Sequence, residues 1–297
     1  MKILLTGANG MLGSAITEQL SKTNHTLLAT GKGDLRHNHL IFNELSDYTS
    51  MDIADRITSK KIINSFKPDA IIHSAAITQV DDCELNRDHC YSINTASTIE
   101  LISIAKEVDA AFHFISTDFV FSGDDGPYVE SDQTGPVNYY GETKELAEQY
   151  LIQSGLDWSI IRTVLLYGKT DQIKRSNFIY WVRDNLMESK PIKVVNDQIR
   201  TPTYIPDLAK GIIAVVEQEA KGIYHISGDE IMTPYEMAIK VARFLKLDEQ
   251  LITPVDATTF TQPGIRPQRT GFHIKKAMEE LGYMPTAFNT ALAEIFS

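Results

Sequence analysis

The first twenty residues constrain the fold more than any other stretch of the chain. Lys2–Thr6 is a short apolar run without helical period, which predicts a buried parallel strand. Glycine-rich residues 7–13 follow at once, and then Leu12, Ile16 and Leu20 recur at helical spacing. A strand, a glycine turn and a helix in this order predict a dinucleotide site, because the free N–H groups at the helix start face the pyrophosphate. The predicted cofactor contacts here are Gly7, Asn9, Gly10, Met11, Leu12 and Gly13.

The end of the second predicted strand, His25–Thr30, bears on the choice of cofactor. NAD sites usually carry a carboxylate there, which holds the ribose 2′-hydroxyl. This chain has none at the first positions, whereas Lys32 and Arg36 are available for a 2′-phosphate. The pattern favours NADPH, although Asp34 keeps NADH open, and a solvated basic loop is the competing interpretation.

Two further segments are predicted to border the cofactor. Asp52 and Ile53 follow a short β-type segment and are placed beside the adenine. The apolar run Pro68–His73 predicts another strand, and it ends in the small residues Ser74-Ala75-Ala76, which would let the backbone approach the cofactor.

Hydroxyl and amine groups in the middle of the chain predict catalytic chemistry. Ser116 and Thr117 follow the predicted strand Ala111–Ile115, at the carboxyl end, where open α/β sheets bind ligands. Tyr140 and Lys144 lie one turn apart on a predicted helix, so the ammonium is expected to lower the tyrosine pKa and make it a proton donor or acceptor. A tyrosine and a lysine four residues apart are common on solvated helices. The glycine turn and Thr117 are the additional features that favour a catalytic interpretation of Tyr140 and Lys144.

Alternating strands and helices predict an α/β fold: a doubly wound parallel Rossmann sheet with a smaller α/β C-terminal substrate lobe. The rhythm changes after Val164. We therefore divide the chain into a dinucleotide-binding domain, residues 1–165, and a substrate-binding lobe, residues 166–297. The two are partly interleaved, with 201–227 expected to return to the Rossmann domain.

Composition excludes several classes of function. The net charge of −11 and the lack of a basic stripe argue against nucleic acid as a partner, and no apolar run approaches the length of a membrane span. The N-terminal apolar run is too short for a signal peptide, so we expect a cytoplasmic protein.

No metal site is predicted, and Cys83 and Cys90 are interpreted as buried or half-buried thiols.

Several stretches, in their order and spacing, carry a resemblance to a known family. They are Thr6–Gly13, Ser74–Thr78 with Val80-Asp81 and Glu84, Phe114–Phe121, Tyr128–Asp132, Tyr140–Lys144, Arg162-Thr163 with Tyr167-Gly168, and Asp197-Gln198 with Pro202-Thr203. Over essentially its full length the chain resembles an extended short-chain dehydrogenase/reductase, and within that group the dTDP-4-dehydrorhamnose reductase family.

The resemblance implies reduction of the C4 ketone of a nucleotide-linked 6-deoxy-4-keto sugar, as in dTDP-rhamnose synthesis. It implies that the catalytic residues are Thr117, Tyr140 and Lys144, with Tyr140 and Lys144 also at the cofactor. The substrate residues are expected to be Thr78, Val80, Asp118 and Arg266, the last of these at the diphosphate because a guanidinium suits phosphate oxygens. Dimers are usual in this superfamily, so a homodimer is compatible with the sequence.

The chain departs from the family pattern at Phe119, usually tyrosine, at residues 199–201, where a glycine is common, and after Arg266-Pro267. These departures leave the exact substrate open. A dehydratase on the same fold would need an acid/base pair after the threonine, and Phe119 cannot transfer a proton. A sugar-nucleotide epimerase and a non-catalytic regulatory subunit of the methionine adenosyltransferase type remain alternatives.

Overall fold

The computed structural model describes residues 1–36, 44, 46–169 and 177–297. Its strands are β1 Lys2–Thr6, β2 Thr26–Gly31, β3 Ser46–Ser50, β4 Ala70–His73, β5 Ala111–Thr117, β6 Trp158–Thr163, β7 Leu166–Tyr167, β8 Ile192–Val195, β9 Thr203–Tyr204, β10 Gly222–His225 and β11 Ile252–Val255. Its α-helices are α1 Met11–Leu20, α2 Arg56–Phe66, α3 Val80–Leu85, α4 Arg87–Tyr91, α5 Ser97–Glu107, α6 Tyr139–Ile152, α7 Phe178–Met187, α8 Ile205–Glu217, α9 Pro234–Leu245, α10 Lys275–Leu281 and α11 Phe288–Ile295. A π-helical turn, Ser92–Ala96, leads into α5, and a 3₁₀ turn, Asp118–Val120, follows β5.

Seven strands within the described residues form one parallel sheet in the order β10-β6-β5-β4-β1-β2-β3. The predicted doubly wound Rossmann sheet is confirmed. Strand order reverses at β1, which pairs with β2 on one side and β4 on the other. Such a reversal opens a crevice at the carboxyl ends of the strands, which is where ligands bind in open α/β sheets.

Helices cover both faces of this sheet. Helices α1 and α8 pack together over one face, where Ile16, Leu20 and Leu208 lie in the same buried cluster as β1 and β2. Helices α2, α5 and α6 cover the opposite face. A separate apolar cluster joins α7, α9 and α11 in the second half of the chain. Strands buried on both sides explain the continuous apolar runs in the sequence.

The second half of the chain returns to the sheet. Strand β10 extends it by pairing with β6, and α8 packs against α1. This arrangement supports our division at residue 165 with a return within 201–227, which we keep as a proposal.

The two cysteines correct one expectation. Cys83 and Cys90 are buried, as predicted, but they form a disulfide and are not thiols. The helical conformation is interrupted at Asn86, between α3 and α4. This interruption brings the Cα atoms of Cys83 and Cys90 to 5.1 Å from each other. Seven residues along one continuous helix would span about 10 Å, too far for a disulfide, and no local sequence pattern predicts the break.

Candidate active site

The glycine turn brings the ends of β1 and β4 together with the start of α1. Gly7 has φ 77°, and a Cβ there would lie 2.8 Å from the backbone nitrogen of Ala75. A Cβ at Gly13 would lie 2.1 Å from the Gly7 carbonyl oxygen. Gly10 precedes α1 without a side-chain cap, so the first N–H groups of the helix are not taken by such a cap. This turn has the geometry that a pyrophosphate site requires.

Asn9 fixes the loop after β2 against the glycine turn. Its side-chain amide donates to the Tyr48 hydroxyl at 3.0 Å and to the Asp34 carbonyl at 3.1 Å. Its side-chain oxygen accepts from the backbone N–H of Arg36 at 2.9 Å. Asn9 therefore positions the loop that carries the predicted 2′-phosphate residues.

Lys32 and Asp52, both predicted to border the cofactor, form an ion pair with Nζ 2.7 Å from Oδ2. The hydrogen bond from Lys32 lowers the pKa of the Asp52 carboxyl, against the effect of partial burial. The Lys32 side chain is 78% exposed and can turn towards another anion. The structure thus brings Lys32 and Arg36 to one loop beside the glycine turn, and Ile53 lies buried next to Asp52.

Hydrogen bonds at the carboxyl ends of β1 and β4 fix the backbone at Ser74-Ala75. Thr6 Oγ1 accepts from the backbone N–H groups of Ser74 and Ala75, both at 3.2 Å. It also hydrogen-bonds His73 Nδ1 at 2.7 Å, and His73 Nε2 hydrogen-bonds Thr98 Oγ1 at 3.0 Å. Burial lowers the pKa of His73 to about 3, so this imidazole is neutral at physiological pH and serves as a structural bridge.

Asn94 is a buried site residue that sequence reasoning missed. Its side chain accepts from the Ile77 N–H at 2.8 Å and donates to the Ile77 carbonyl at 2.9 Å. It also donates to the Thr143 hydroxyl at 3.2 Å. Asn94 therefore links the segment after β4 to the helix that carries Tyr140 and Lys144.

The start of α6 places Tyr140 beside Thr117. The Asn138 side chain caps the helix by accepting from the Gly141 N–H at 2.8 Å, as expected for a helix start. A Cβ at Gly141 would lie 2.1 Å from the Phe119 carbonyl oxygen, so only glycine lets α6 approach the turn after β5 this closely. The rings of Phe119 and Tyr140 meet edge-on at 6.2 Å.

Burial dominates the titration of Tyr140 and Lys144. It raises the pKa of Tyr140, while the interaction with Thr117 opposes the rise. It lowers the pKa of Lys144 to about 7, against the nearby Glu148 carboxylate, and Lys144 Nζ lies 3.9 Å from the Phe114 ring centroid. The Tyr140 pKa is thus raised and not lowered as expected, because desolvation of the phenol is the largest effect. Tyr140 is therefore protonated at neutral pH, the form that can donate a proton.

The predicted substrate residues lie in different environments. Thr78 is exposed, whereas Val80 is buried in a cluster with Tyr140. Asp118 is 3% exposed, and both of its oxygens face threonine hydroxyls. Arg266 binds Asp81 through both terminal nitrogens, at 2.5 and 2.8 Å. Asp118 and Arg266 thus already have protein partners, and their contact with substrate stays a prediction.

Other candidate sites are less well supported. A cavity of about 440 Å³ lies beside α9, but its lining includes none of the predicted cofactor or catalytic residues. Four of its charged side chains pair as Lys240–Glu230 and Arg243–Glu249, and Glu236 accepts from the Thr233 N–H. Within the residues that the structure describes, no group of three acidic, histidine or cysteine side chains could hold a metal ion. Over the same residues, no helix is long and apolar enough to span a bilayer.

A glycine turn at a strand-order reversal, with Thr117, Tyr140 and Lys144 near the same crevice, defines a Rossmann-type protein of the short-chain dehydrogenase/reductase class. The model of the RmlD substrate binding domain matches residues 1–297, and the chain belongs to this family. The resemblance inferred from the sequence is confirmed.

Three relatives are similar over nearly the whole chain. The spore coat polysaccharide biosynthesis protein SpsK of Bacillus subtilis is 31% identical, with 99% of this chain and 96% of the relative covered. The dTDP-4-keto-6-deoxy-D-glucose reductase of Streptomyces niveus is 30% identical with the same coverage. The methionine adenosyltransferase 2 subunit beta of Mus musculus is 27% identical, with 99% of this chain and 86% of the relative covered.

Two solved structures have the same fold. A dTDP-4-dehydrorhamnose reductase of Clostridium acetobutylicum is 30% identical, with a TM-score of 0.87 and coverage of 100% of this chain and 98% of that one. The dTDP-4-dehydrorhamnose reductase of Bacillus anthracis, solved in complex with NADP, is 28% identical, with a TM-score of 0.84 and coverage of 99% and 98%.

Proposed function

We propose that the protein is an NADPH-dependent reductase of the C4 ketone of a nucleotide-linked 6-deoxy-4-keto sugar, with dTDP-4-dehydrorhamnose as its substrate. The observation that carries the proposal is the grouping of Thr117, Tyr140 and Lys144 beside a glycine turn at the strand-order reversal. Similarity to sugar-nucleotide reductases over the full chain supports the same reaction.

Thr117, Tyr140 and Lys144 each have a different role in the proposed reaction. A bound nicotinamide cofactor supplies the hydride that the carbonyl carbon receives. Tyr140 gives its proton to the carbonyl oxygen as negative charge develops there. Thr117, whose hydroxyl lies beside the phenol, helps to orient Tyr140. Lys144, with a pKa near 7, is placed one helical turn away to bind the cofactor ribose and to support proton transfer.

Turnover is tested by following NADPH oxidation with dTDP-4-dehydrorhamnose and identifying the sugar product by NMR. We expect consumption of one NADPH for each ketone reduced. Epimerised sugar without net NADPH consumption would instead support an epimerase. The similarity to a methionine adenosyltransferase subunit favours a regulatory role as the second candidate. No turnover, together with stable binding to a methionine adenosyltransferase, would favour that role.

Lys32 and Arg36 are predicted to make NADPH bind more tightly than NADH. A charged contact to the 2′-phosphate is worth roughly 1.5–3 kcal/mol, or about 10- to 150-fold in Kd. Lys32→Ala/Arg36→Ala should therefore lose the preference while NADH affinity stays constant, as measured by fluorescence titration of both cofactors. Lys22→Ala is the matched control, because Lys22 is an exposed lysine that pairs with Glu18. Equal affinity of the wild-type protein for both cofactors would contradict the prediction.

Arg266 is predicted to bind the substrate diphosphate. Arg266→Ala should raise the substrate KM and leave cofactor affinity unchanged, as measured by steady-state kinetics and cofactor titration. Asp81→Asn separates this role from a structural one, because Asp81 holds the guanidinium in the described geometry. If Arg266 binds phosphate, Asp81→Asn frees it and does not raise KM. If both variants raise KM equally, the Arg266–Asp81 pair acts by holding the loop 264–266.

A further inference from the structure

Arg200 is a buried arginine that joins two loops of the C-terminal half of the chain. It is 4% exposed, and its guanidinium donates to the carbonyls of Ile199 at 2.8 Å, Gln268 at 3.0 Å and Pro267 at 2.7 Å. Its backbone pairs in both directions with Met232, at 3.0 and 2.9 Å. A planar guanidinium suits such a set of fixed acceptors, whereas a lysine could not reach them together.

Asp118 supplies a negative charge close to this guanidinium. Arg200 Nε lies 4.0 Å from Asp118 Oδ2, and both side chains are 5% exposed. The Thr270 hydroxyl, which lies in the loop that Arg200 holds, donates to the same carboxylate oxygen. Burial raises the pKa of Asp118, and Arg200 and the threonine hydroxyls oppose the rise. A charge pair buried in this way is costly to break, because the remaining group is left without its partner.

The other Asp118 oxygen, Oδ1, accepts a hydrogen bond from the Thr117 hydroxyl and so orients it. Thr117 Oγ1 donates to Asp118 Oδ1 at 3.1 Å and accepts from the Phe119 N–H at 3.2 Å. These two bonds fix the direction of the hydroxyl proton and occupy one lone pair. The remaining lone pair can accept from the hydroxyl of Tyr140, which lies beside Thr117. The orientation of Thr117 at the reaction centre therefore depends on Asp118.

We propose that Asp118 and Arg200 are positioning residues of the site: Asp118 orients the Thr117 hydroxyl beside Tyr140, and Arg200 holds Asp118 and the loop 267–270 in place. The proposal rests on the reductase function proposed above. It gives Asp118 a role within the protein, through its bonds to two threonine hydroxyls. It also gives a role to Arg200, which lies within residues 199–201, where the chain departs from the family pattern.

The test is a double-mutant cycle between Asp118→Asn and Thr117→Val, with kcat and KM measured for NADPH and dTDP-4-dehydrorhamnose. Misplacement of a catalytic group costs up to about 100-fold, so we expect Asp118→Asn to lower kcat roughly 10- to 100-fold with KM nearly unchanged. In the Thr117→Val background the same change should cost less than about 3-fold, because the hydroxyl it orients is gone. Multiplicative effects on kcat, or a rise in KM alone, would overturn the proposal.

Arg200 is tested against an arginine in the same loop region. Arg200→Met should lower kcat to about the level of Asp118→Asn, whereas Arg269→Met, at an exposed position, should change kcat less than about 2-fold. Equal effects of the two substitutions would contradict a specific role for Arg200. If Arg200→Met does not fold, the Asp118 cycle still decides the proposal.

If the wild-type protein reduces no sugar nucleotide, the proposed function is overturned. The pairing of Arg200 with Asp118 can then still be tested by measuring urea unfolding. Arg200→Lys and Asp118→Asn should couple, so that the unfolding constant of the double variant differs at least about 10-fold from the product of the single effects. Independent effects would overturn the pairing as well.

Discussion

Replacing Tyr140 by phenylalanine is expected to lower kcat by about 10²–10⁴-fold, the usual contribution of general acid–base assistance. Phenylalanine keeps the ring in its buried cluster with Val80 and in edge contact with Phe119, so the fold and cofactor affinity should survive. Only the proton donor is lost, and the effect should fall on kcat and kcat/KM together. Steady-state kinetics with a parallel NADPH titration measures both quantities.

Tyr139→Phe is the matched control for this substitution. Tyr139 is the preceding residue on α6, is half-buried and lies under the Arg87 guanidinium at 4.7 Å. It should retain kcat within about 2-fold. If Tyr140→Phe reduced the 4-keto sugar nucleotide at the wild-type rate, Tyr140 would not be the acid and the proposed mechanism would be wrong.

Replacing Glu148 by glutamine is expected to destabilise the fold by about 3–5 kcal/mol, the usual cost of breaking a buried ion pair. Glu148 Oε2 lies 2.6 Å from Arg162 Nη2 and Oε1 lies 3.1 Å from Nε, and the side chains are 2% and 3% exposed. The substitution leaves the Arg162 cation inside the protein without its counter-charge. Urea denaturation followed by circular dichroism measures the change in free energy of unfolding.

Two comparisons make this second prediction specific. Glu142→Gln removes an exposed carboxylate from the first turn of the same helix and should cost no more than about 1 kcal/mol. Glu148→Leu/Arg162→Met removes both charges and should be more stable than Glu148→Gln alone, because no unpaired charge remains. A double variant less stable than the single one would show that packing, and not charge, is responsible.

Local signals in the sequence were sufficient for much of the fold. The strand, glycine turn and helix at the N-terminus were predicted because the glycines stand directly between the strand and the helix. At that position the backbone has to turn tightly and pack closely. Helices α8 and α9 carry comparable local signals, because each has buried apolar residues at helical spacing and a proline in its first turn. The spacing of Tyr140 and Lys144 predicted that both lie one turn apart on a helix, and both lie on α6.

The features that the sequence did not reveal depend on contacts between distant segments. Arg200 and Asp118 meet only because two loops of the C-terminal half pack against the end of β5. Asn94 acquires its role through Ile77 and Thr143, which no local pattern connects to it. The rise in the Tyr140 pKa follows from burial of the phenol. Burial depends on how the whole molecule packs, and the local spacing of Tyr140 and Lys144 does not reveal it.

The return of β10 and α8 to the sheet limits how the protein can be recombined. A cut after residue 165 would leave one edge of β6 without its hydrogen-bond partners and would bare the apolar surface of α1 that α8 covers. The proposed substrate lobe therefore cannot be exchanged as a single C-terminal block. A chimera intended to transfer sugar specificity would have to graft two separate inserts and keep the segment from β9 to β10 from the host.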